Sequence, residues 1–382
     1  MNLANNQRIN LSLILLLIST LLGIAVFNIM STIFILIIFF EIIKNNDLKY
    51  FTQNWIKAIC VFYIIIIFSS LLSDYFDNIF FKTLYLLRFL FVAISIQYCL
   101  QKFNNTNLFL YTITTMTFFV TFDALIQYFF GTNLFGNNLN YENSSRVRLT
   151  SVFGNEEIVG AYLIKFICLG AIGAYFMFKK NITITIFYII LLGLTILLSQ
   201  ERMAFILYLF FIFLIFSYML IRKKIKDVII FCSVVIILIS LVFKFDTSLK
   251  ERYLSLFSGG GGITKSNDIV KSFADLKKSE ISIKDSLWGA HFYTAIEIFK
   301  NNYIIGSGPR SFRYECDKEK YKDIDIHYIE KRCSTHPHNL YLEILSETGL
   351  VGFSYFIFLL ILFYINQYKY FLKTKNYKHF FG

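Results

Sequence analysis

Apolar residues run along this chain in long unbroken blocks separated by short polar patches, without the alternation of a half-buried strand or the one-sided stripe of a surface helix. Blocks of about 17–25 residues suit a helix that crosses roughly 30 Å of hydrocarbon with every backbone group bonded internally. They fall at Leu11–Phe27 and Ile29–Ile43, then at about 55–72, 82–100, 107–129, 157–178, 183–199, 203–221, 228–245 and 348–368. Gly23 and Asn28 mark the expected hairpin between the first two. The pattern predicts an all-α, polytopic membrane protein with about ten transmembrane helices. The opening block has no small-residue cleavage site and passes directly into the next, so a retained helix is expected rather than a signal peptide.

One long hydrophilic stretch interrupts this pattern and divides the chain into three expected parts. These are a helix bundle over 1–245, a large loop with short helices over 246–338, and a re-entry helix, final span and basic tail over 339–382. The loop opens on Lys250-Glu251-Arg252-Tyr253, passes the flexible run Gly259–Gly262 and the charged, apolar-poor stretch Lys265–Lys284, and reads as helical from about Leu287 to Lys300. The turn Gly306-Ser307-Gly308-Pro309-Arg310-Ser311-Phe312-Arg313 follows. Its glycines serve either the close approach of a ligand or a simple helix stop.

Composition agrees with the membrane reading: 56% hydrophobic residues, 19% aromatic and two prolines in 382 positions exclude an ordinary soluble domain. The net charge of +12 changes the picture through its placement. Arg8, Lys44 and Lys49, Lys102, Lys179 and Lys180, the block Arg222-Lys223-Lys224-Lys226, and Lys369, Lys373, Lys375 and Lys378 fall in every second connection. An excess of Lys and Arg marks cytoplasmic loops, so the N-terminus is expected inside and residues 246–337 outside. The charge is a topology signal, and nucleic acid is excluded as a partner. Cys60, Cys99, Cys168 and Cys232 lie in apolar blocks as small hydrophobes. Cys316 and Cys333 lie in the outer loop, where an oxidising compartment allows a disulfide worth on the order of 3 kcal/mol.

The chemistry-bearing residues concentrate at span ends and where the loop returns to the membrane. Arg88, Arg146, Arg148 and Arg202 map to one side of the bilayer. Singly, each can be read as a snorkelling or ion-paired residue, Glu201 being one available partner. Together, their guanidinium forks match the oxygens of a phosphate or diphosphate headgroup. Thr335-His336-Pro337-His338-Asn339-Leu340, running on through Glu347 and Gly349 to Gly352, places a polar His/Asn pair at the mouth of an apolar helix. A zinc site built on Cys333, His336 and His338 lacks a fourth ligand, so no metal is expected.

Three separated blocks carry a resemblance: Arg146-Val-Arg-Leu-Thr-Ser-Val-Phe-Gly-Asn-Glu-Glu, Ser199-Gln-Glu-Arg-Met-Ala, and Gly306-Ser-Gly-Pro-Arg-Ser-Phe-Arg leading into Thr335-His-Pro-His-Asn-Leu. Over roughly 60–368 they resemble the O-antigen ligase and O-antigen polymerase superfamily. The ligase-type pattern of His, Asn, nine residues, Gly, two residues and Gly is met by His338-Asn339, Gly349 and Gly352. The resemblance implies a GT-C-type glycosyltransferase in the bacterial inner membrane, N-terminus cytoplasmic, with its active site on the periplasmic face and no cofactor. Its donor is a polyprenyl-diphosphate-linked glycan. Its acceptor is a lipid A-core sugar for a ligase, or a second lipid-linked glycan for a polymerase.

The resemblance ties activity to Arg202 and His338. Arg202 is expected to stabilise the leaving diphosphate, with Arg88, Arg146, Arg148 and Arg310 as further diphosphate-binding candidates, and His338 to accept or orient the acceptor hydroxyl proton. His336, Asn339, His291 and Glu347 are expected to support it. Two departures bear on the carry-over. Members commonly place an arginine near the start of the loop helix, where this chain reads Gly289-Ala290-His291-Phe292-Tyr293, so His291, Arg252 or Arg310 is left to stand in. Members also commonly carry more spans, which reads as a shortened or incomplete chain. A transporter of lipid-linked sugars is the competing class, but no internal repeat supports it. The pattern at His338 favours ligase, while Ser199-Gln-Glu-Arg and the loop cysteines are equally like polymerase relatives.

Overall fold

The structure is a computed structural model that describes residues 3–139, 148–221, 225–254, 286–326 and 328–373. Its helices are α1 (Leu3–Ser19), α2 (Ile24–Lys44), α3 (Asn54–Leu71), α4 (Phe76–Leu84), α5 (Leu87–Lys102), α6 (Thr106–Phe130), α7 (Val159–Met177), α8 (Ile182–Leu198), α9 (Arg202–Ile221), α10 (Ile225–Phe245), α11 (Thr247–Leu254), α12 (Leu287–Asn301), α13 (Phe312–Glu315) and α14 (Leu340–Lys373). The described residues form no strand beyond one isolated bridge between Thr132 and Asn138.

Six helical stretches among the described residues are long and apolar enough to cross a membrane: Ile24–Lys44, Asn54–Leu71, Phe76–Lys102, Thr106–Phe130, Val159–Met177 and Leu340–Lys369. Three of the expected spans correspond to shorter apolar helices, Ile182–Leu198, Arg202–Ser217 and Ser233–Phe245. The first hairpin turns earlier than the sequence suggested. Gly23, at φ 97°, opens α2, and Asn28 lies inside that helix. The runs Gly259–Gly262 and Lys265–Lys284, the Arg222-Lys223-Lys224 block, and Lys375 and Lys378 lie outside the described residues.

The helices form two compact units, Met1–Asn46 with Ser95–Ser258, and Asp47–Ile94 with Gly259–Gly382. In hydrocarbon, apolar side chains gain little by leaving lipid, so helix association rests on close packing and interhelical hydrogen bonds. The first unit shows both along α6, α7 and α8. Val120, Leu163, Leu192 and Ile196 are fully buried between these helices, or nearly so. Thr117 Oγ1 lies 2.5 Å from the Tyr188 hydroxyl, and Thr114 Oγ1 donates to the Gly170 carbonyl at 3.0 Å. Bonds of this kind contribute about 0.6 kcal/mol each on average.

Below these, the C-terminal part of α6 organises the connection to α7. The Asp123 carboxylate accepts from Leu134 N (2.9 Å) and Ser151 Oγ (2.6 Å). Gln127 Oε1 accepts from Thr150 N (3.0 Å) and Ser151 N (2.8 Å), while its Nε2 donates to Thr150 Oγ1 (3.0 Å) and Asn137 O (3.3 Å).

In the second unit, α14 packs on α3 and α12. Tyr355 donates to Ala58 O at 3.0 Å, and its ring stacks on Phe62 at 6.3 Å. Ala295, Ile298, Phe312, Cys316 and Tyr321 form a small core beneath the loop, and Cys316 and Cys333 are joined as a disulfide. The buried Arg332 guanidinium ties this loop down. Its Nε donates to Cys316 O at 2.9 Å, and one terminal nitrogen lies 3.4 Å from Asp317 Oδ1.

Candidate functional site

The first unit gathers its arginines around the turn between α8 and α9. Gln200 adopts a left-handed backbone there, φ 61°, and its carbonyl accepts Arg252 Nε at 2.9 Å. Glu201 does not serve mainly as an arginine's partner. Its carboxylate accepts the free amides at the start of α7, Gly160 N at 2.6 Å and Ala161 N at 2.9 Å, where the helix dipole favours an anion. Burial raises its pKa, and the two amide bonds and the nearby Arg148 pull it back. Arg202 begins α9 at the next position.

Arg148 pairs with Glu157 at 3.2 Å, and its Nε is buried with no hydrogen-bond partner among the described residues. Burial holds the Tyr253 hydroxyl above its ordinary pKa, while Arg252, Arg202 and Arg148 pull against it. All three guanidinium groups therefore act on one point. Arg146 lies outside the described residues.

The second unit carries the histidines. The Ser286 side chain caps α12 by accepting Gly289 N at 2.9 Å, which sets Trp288 and His291 on its first turn. His291 is buried, and its Nδ1 lies 3.2 Å from Arg332 O; a carbonyl only accepts, so that nitrogen carries the proton. The His338 ring sits 5.2 Å from His291, 4.3 Å from His336 and 4.8 Å, edge to face, from Trp288. Its backbone is left-handed, φ 57°, and its Nε2 lies 3.1 Å from Ser334 Oγ. Strain of this kind at a non-glycine residue concentrates at functional sites. Burial, then the neighbouring His336 and His291, hold the His338 pKa below its ordinary value. A neutral, proton-accepting imidazole follows.

Asn339 shapes the helix start rather than the imidazole cluster. Its Oδ1 caps α14 by accepting Tyr341 N (3.0 Å) and Leu342 N (3.2 Å). The helix starts well before the apolar block and kinks at Gly349, φ 63° and ψ −166°.

That kink explains the Gly-x-Gly turn differently from either sequence-based option. Gly306 and Gly349 pack backbone to backbone. A Cβ on Gly306 would meet the Glu347 and Thr348 backbone, and one on Gly349 would meet Ile304 and lie 2.6 Å from Gly306 N. Ser307 N and Gly308 N donate to Ser346 O and Glu347 O at 3.0 and 2.9 Å. The Glu347 carboxylate, 5% exposed, accepts Arg310 N at 2.6 Å and Phe312 N at 3.3 Å. It thereby holds Arg310 in its own left-handed conformation, φ 61°. The glycines admit the protein's own chain.

Residues 187–357 match a family model described as O-antigen ligase. Over this stretch the chain is similar to the O-antigen ligase and polymerase superfamily, which the match supports. No curated protein and no solved structure matches it. The family stretch runs from α8 through α14 and takes in Arg202, Arg252, His291, Arg310, His336, His338, Asn339 and Glu347. Arg88 and Arg148 precede it. Arg88 opens α5 with its guanidinium 3.9 Å from the Tyr85 ring centre and 4.6 Å from that of Phe89, a cation held over aromatic faces.

By unit, Arg148 and Arg202 belong to the first, and Arg88, Arg310, His291, His336, His338, Asn339 and Glu347 to the second. Sequence reasoning missed Trp288, Arg332 and the Asp123/Gln127 pair. Only the last had a visible signal, two polar residues four positions apart in an apolar helix. Among the described residues, no group of three His, Cys, Asp or Glu side chains is arranged to hold a metal ion.

Proposed function

We propose that this protein is a membrane glycosyltransferase of the O-antigen ligase type. It transfers a glycan from a polyprenyl diphosphate to a hydroxyl of a lipid A-core acceptor on the periplasmic face of the inner membrane. The observation that carries this reading is His338, an exposed histidine with a left-handed backbone, set among His291, His336 and Trp288 within the stretch that matches the family.

In the reaction, an acceptor hydroxyl oxygen attacks the anomeric carbon as the bond from that carbon to the diphosphate oxygen breaks. The hydroxyl proton passes to His338, and the bonding electrons leave with the diphosphate. Arg202, with Arg148 and Arg252 acting on the same region, supplies fixed positive charge for that leaving group. The His291–Arg332 bond and the Trp288 edge hold the imidazole cluster in place. A polymerase performs the same step with a second lipid-linked unit as acceptor.

Purified protein in nanodiscs, given a polyprenyl-diphosphate glycan and either acceptor, tests the reading. Product on lipid A-core establishes a ligase, and a ladder of lipid-linked repeats a polymerase. His338→Ala is expected to lower the rate about 10²–10⁴-fold without changing insertion. Arg202→Lys keeps the charge and loses the fork, so wild-type transfer by that variant refutes the bidentate role. No product with either acceptor refutes the transferase reading.

A further inference from the structure

We propose that a solvent-open cavity in the second unit, lined by Ile79, Lys82, Arg310, Arg313 and Tyr314, binds a phosphoryl group carried by an amphiphile. Its residues are distinct from the Arg148/Arg202/Arg252 group of the first unit. The cavity volume is about 100 Å³ and opens to solvent, so a phosphoryl headgroup can enter with its substituent left outside.

Charge is the first argument. Around the loop, cations are routinely neutralised: Lys318 by Asp74 and Glu315, Lys320 by Glu315, Lys322 by Glu319, Arg332 by Asp317. Lys82, Arg310 and Arg313 have no ion pair among the described residues, although all three face one cavity. Glu343 is near enough for Arg310 and Arg313 to act on it electrostatically, but forms no ion pair with either among the described residues. Two guanidinium forks and an ammonium match the several oxygens and multiple charge of a phosphoryl group better than a lone sugar carboxylate.

Preorganisation is the second. The wall bearing Arg310 is fixed by the Glu347 carboxylate on its amide, and the same turn is clamped to the start of the α4 region by Ser73 Oγ on Ser307 O at 2.5 Å. Gly308 packs so closely on Ser73 and Ile79 that a Cβ would lie 2.5 Å from Ser73 Oγ and 2.6 Å from Ile79 Cδ1. Tyr314 is stacked on Tyr75 at 5.4 Å, and Tyr75 donates to Glu315 at 3.0 Å. The cations are thus carried on a braced frame. An amphiphile suits α4, which exposes Phe76 and Phe81 while contributing Ile79 and Lys82 to the cavity.

The source of the phosphoryl group rests on the transferase reading, which offers two: the donor diphosphate and a phosphorylated acceptor glycolipid. Binding itself does not depend on that reading. The experiment titrates radiolabelled dodecyl phosphate onto the full chain in phosphatidylcholine nanodiscs, for wild type, Lys82→Gln, Arg313→Gln, the double variant, and Lys322→Gln, a loop lysine already paired with Glu319 and away from the cavity. Each single change at the cavity is expected to weaken binding about 10-fold and the pair about 100-fold, with Lys322→Gln within about twofold of wild type. Lys82 and Arg313 are exposed, and unchanged thermal midpoints verify folding; should Arg313→Gln misfold, Lys82→Glu carries the comparison alone.

Saturable binding that the double variant leaves unchanged overturns the proposal, as does the lack of saturable binding to wild type. In the transfer assay, a raised KM for acceptor alone assigns the acceptor's phosphate, and a raised KM for donor alone assigns the diphosphate. Unchanged KM values for both overturn any role of the cavity in transfer. Binding without transfer in the wild type supports the cavity and removes the transferase reading.

Discussion

Gln127→Ala tests whether the polar network at the end of α6 holds the arginine-bearing connection in place. The Gln127 side chain is fully buried, and its carbonyl oxygen is the acceptor for two buried backbone amides, those of Thr150 and Ser151. Arg148 lies two positions before Thr150. Truncation leaves both amides without an acceptor, and each costs about 1–3 kcal/mol when buried unsatisfied. The two donor bonds to Thr150 Oγ1 and Asn137 O are lost as well. A total near 3 kcal/mol is a conservative sum, since water entering the space recovers part of the loss.

For a unit of this size, with about 2–4 °C per kcal/mol, the unfolding midpoint should fall by roughly 6–12 °C. The assay is thermal unfolding of wild type, Gln127→Ala and Gln127→Glu in the same nanodiscs, alongside transfer. Gln127→Glu keeps both amide acceptors and loses the donors, so it should lie between the other two. Transfer should fall more than stability at the assay temperature requires, because Arg148 is no longer fixed. An alanine variant with a midpoint within about 2 °C of wild type refutes the network's weight in the fold.

Three further outcomes are expected. Because the His338 pKa lies below its ordinary 6.5, the imidazole stays neutral into mildly acid solution, and the acid limb of the rate profile should fall below pH 6.5. His336→Ala removes one of the lowering neighbours and should move that limb upward; a limb already above pH 6.5 in the wild type contradicts the assignment. The same depressed pKa makes the group's contribution to stability present above 6.5 and lost as pH falls through the folded value. Gly349→Ala forces a Cβ into the Ile304 backbone at positive φ, so folded yield should collapse, whereas Gly352→Ala, whose Cβ would meet the Thr348 side chain rather than backbone, should destabilise less. Cys316 and Cys333 should resist alkylation until reductant is added, and Cys333→Ser should cost about 3 kcal/mol, read as a lowered midpoint only under oxidising conditions.

Span positions were legible from the sequence alone. The blocks at 55–72, 107–129 and 157–178 became Asn54–Leu71, Thr106–Phe130 and Val159–Met177. A helix in hydrocarbon must satisfy its own backbone and match a fixed thickness, so its ends are written locally. The loop helix near Leu287 and the polar entry at His338-Asn339 were also legible as local pattern, and the structure adds the Ser286 and Asn339 caps that start the two helices. Residue pairing was not. Ser69 donates to Ile305 O across 236 positions, Glu201 caps α7 across 41, and the Gly306 turn derives its glycines from a helix kink at Gly349. Each side chain could have met several partners with equal chemistry. Only tertiary packing, which places one backbone within hydrogen-bond reach of another and excludes the rest, decided which partner each side chain met.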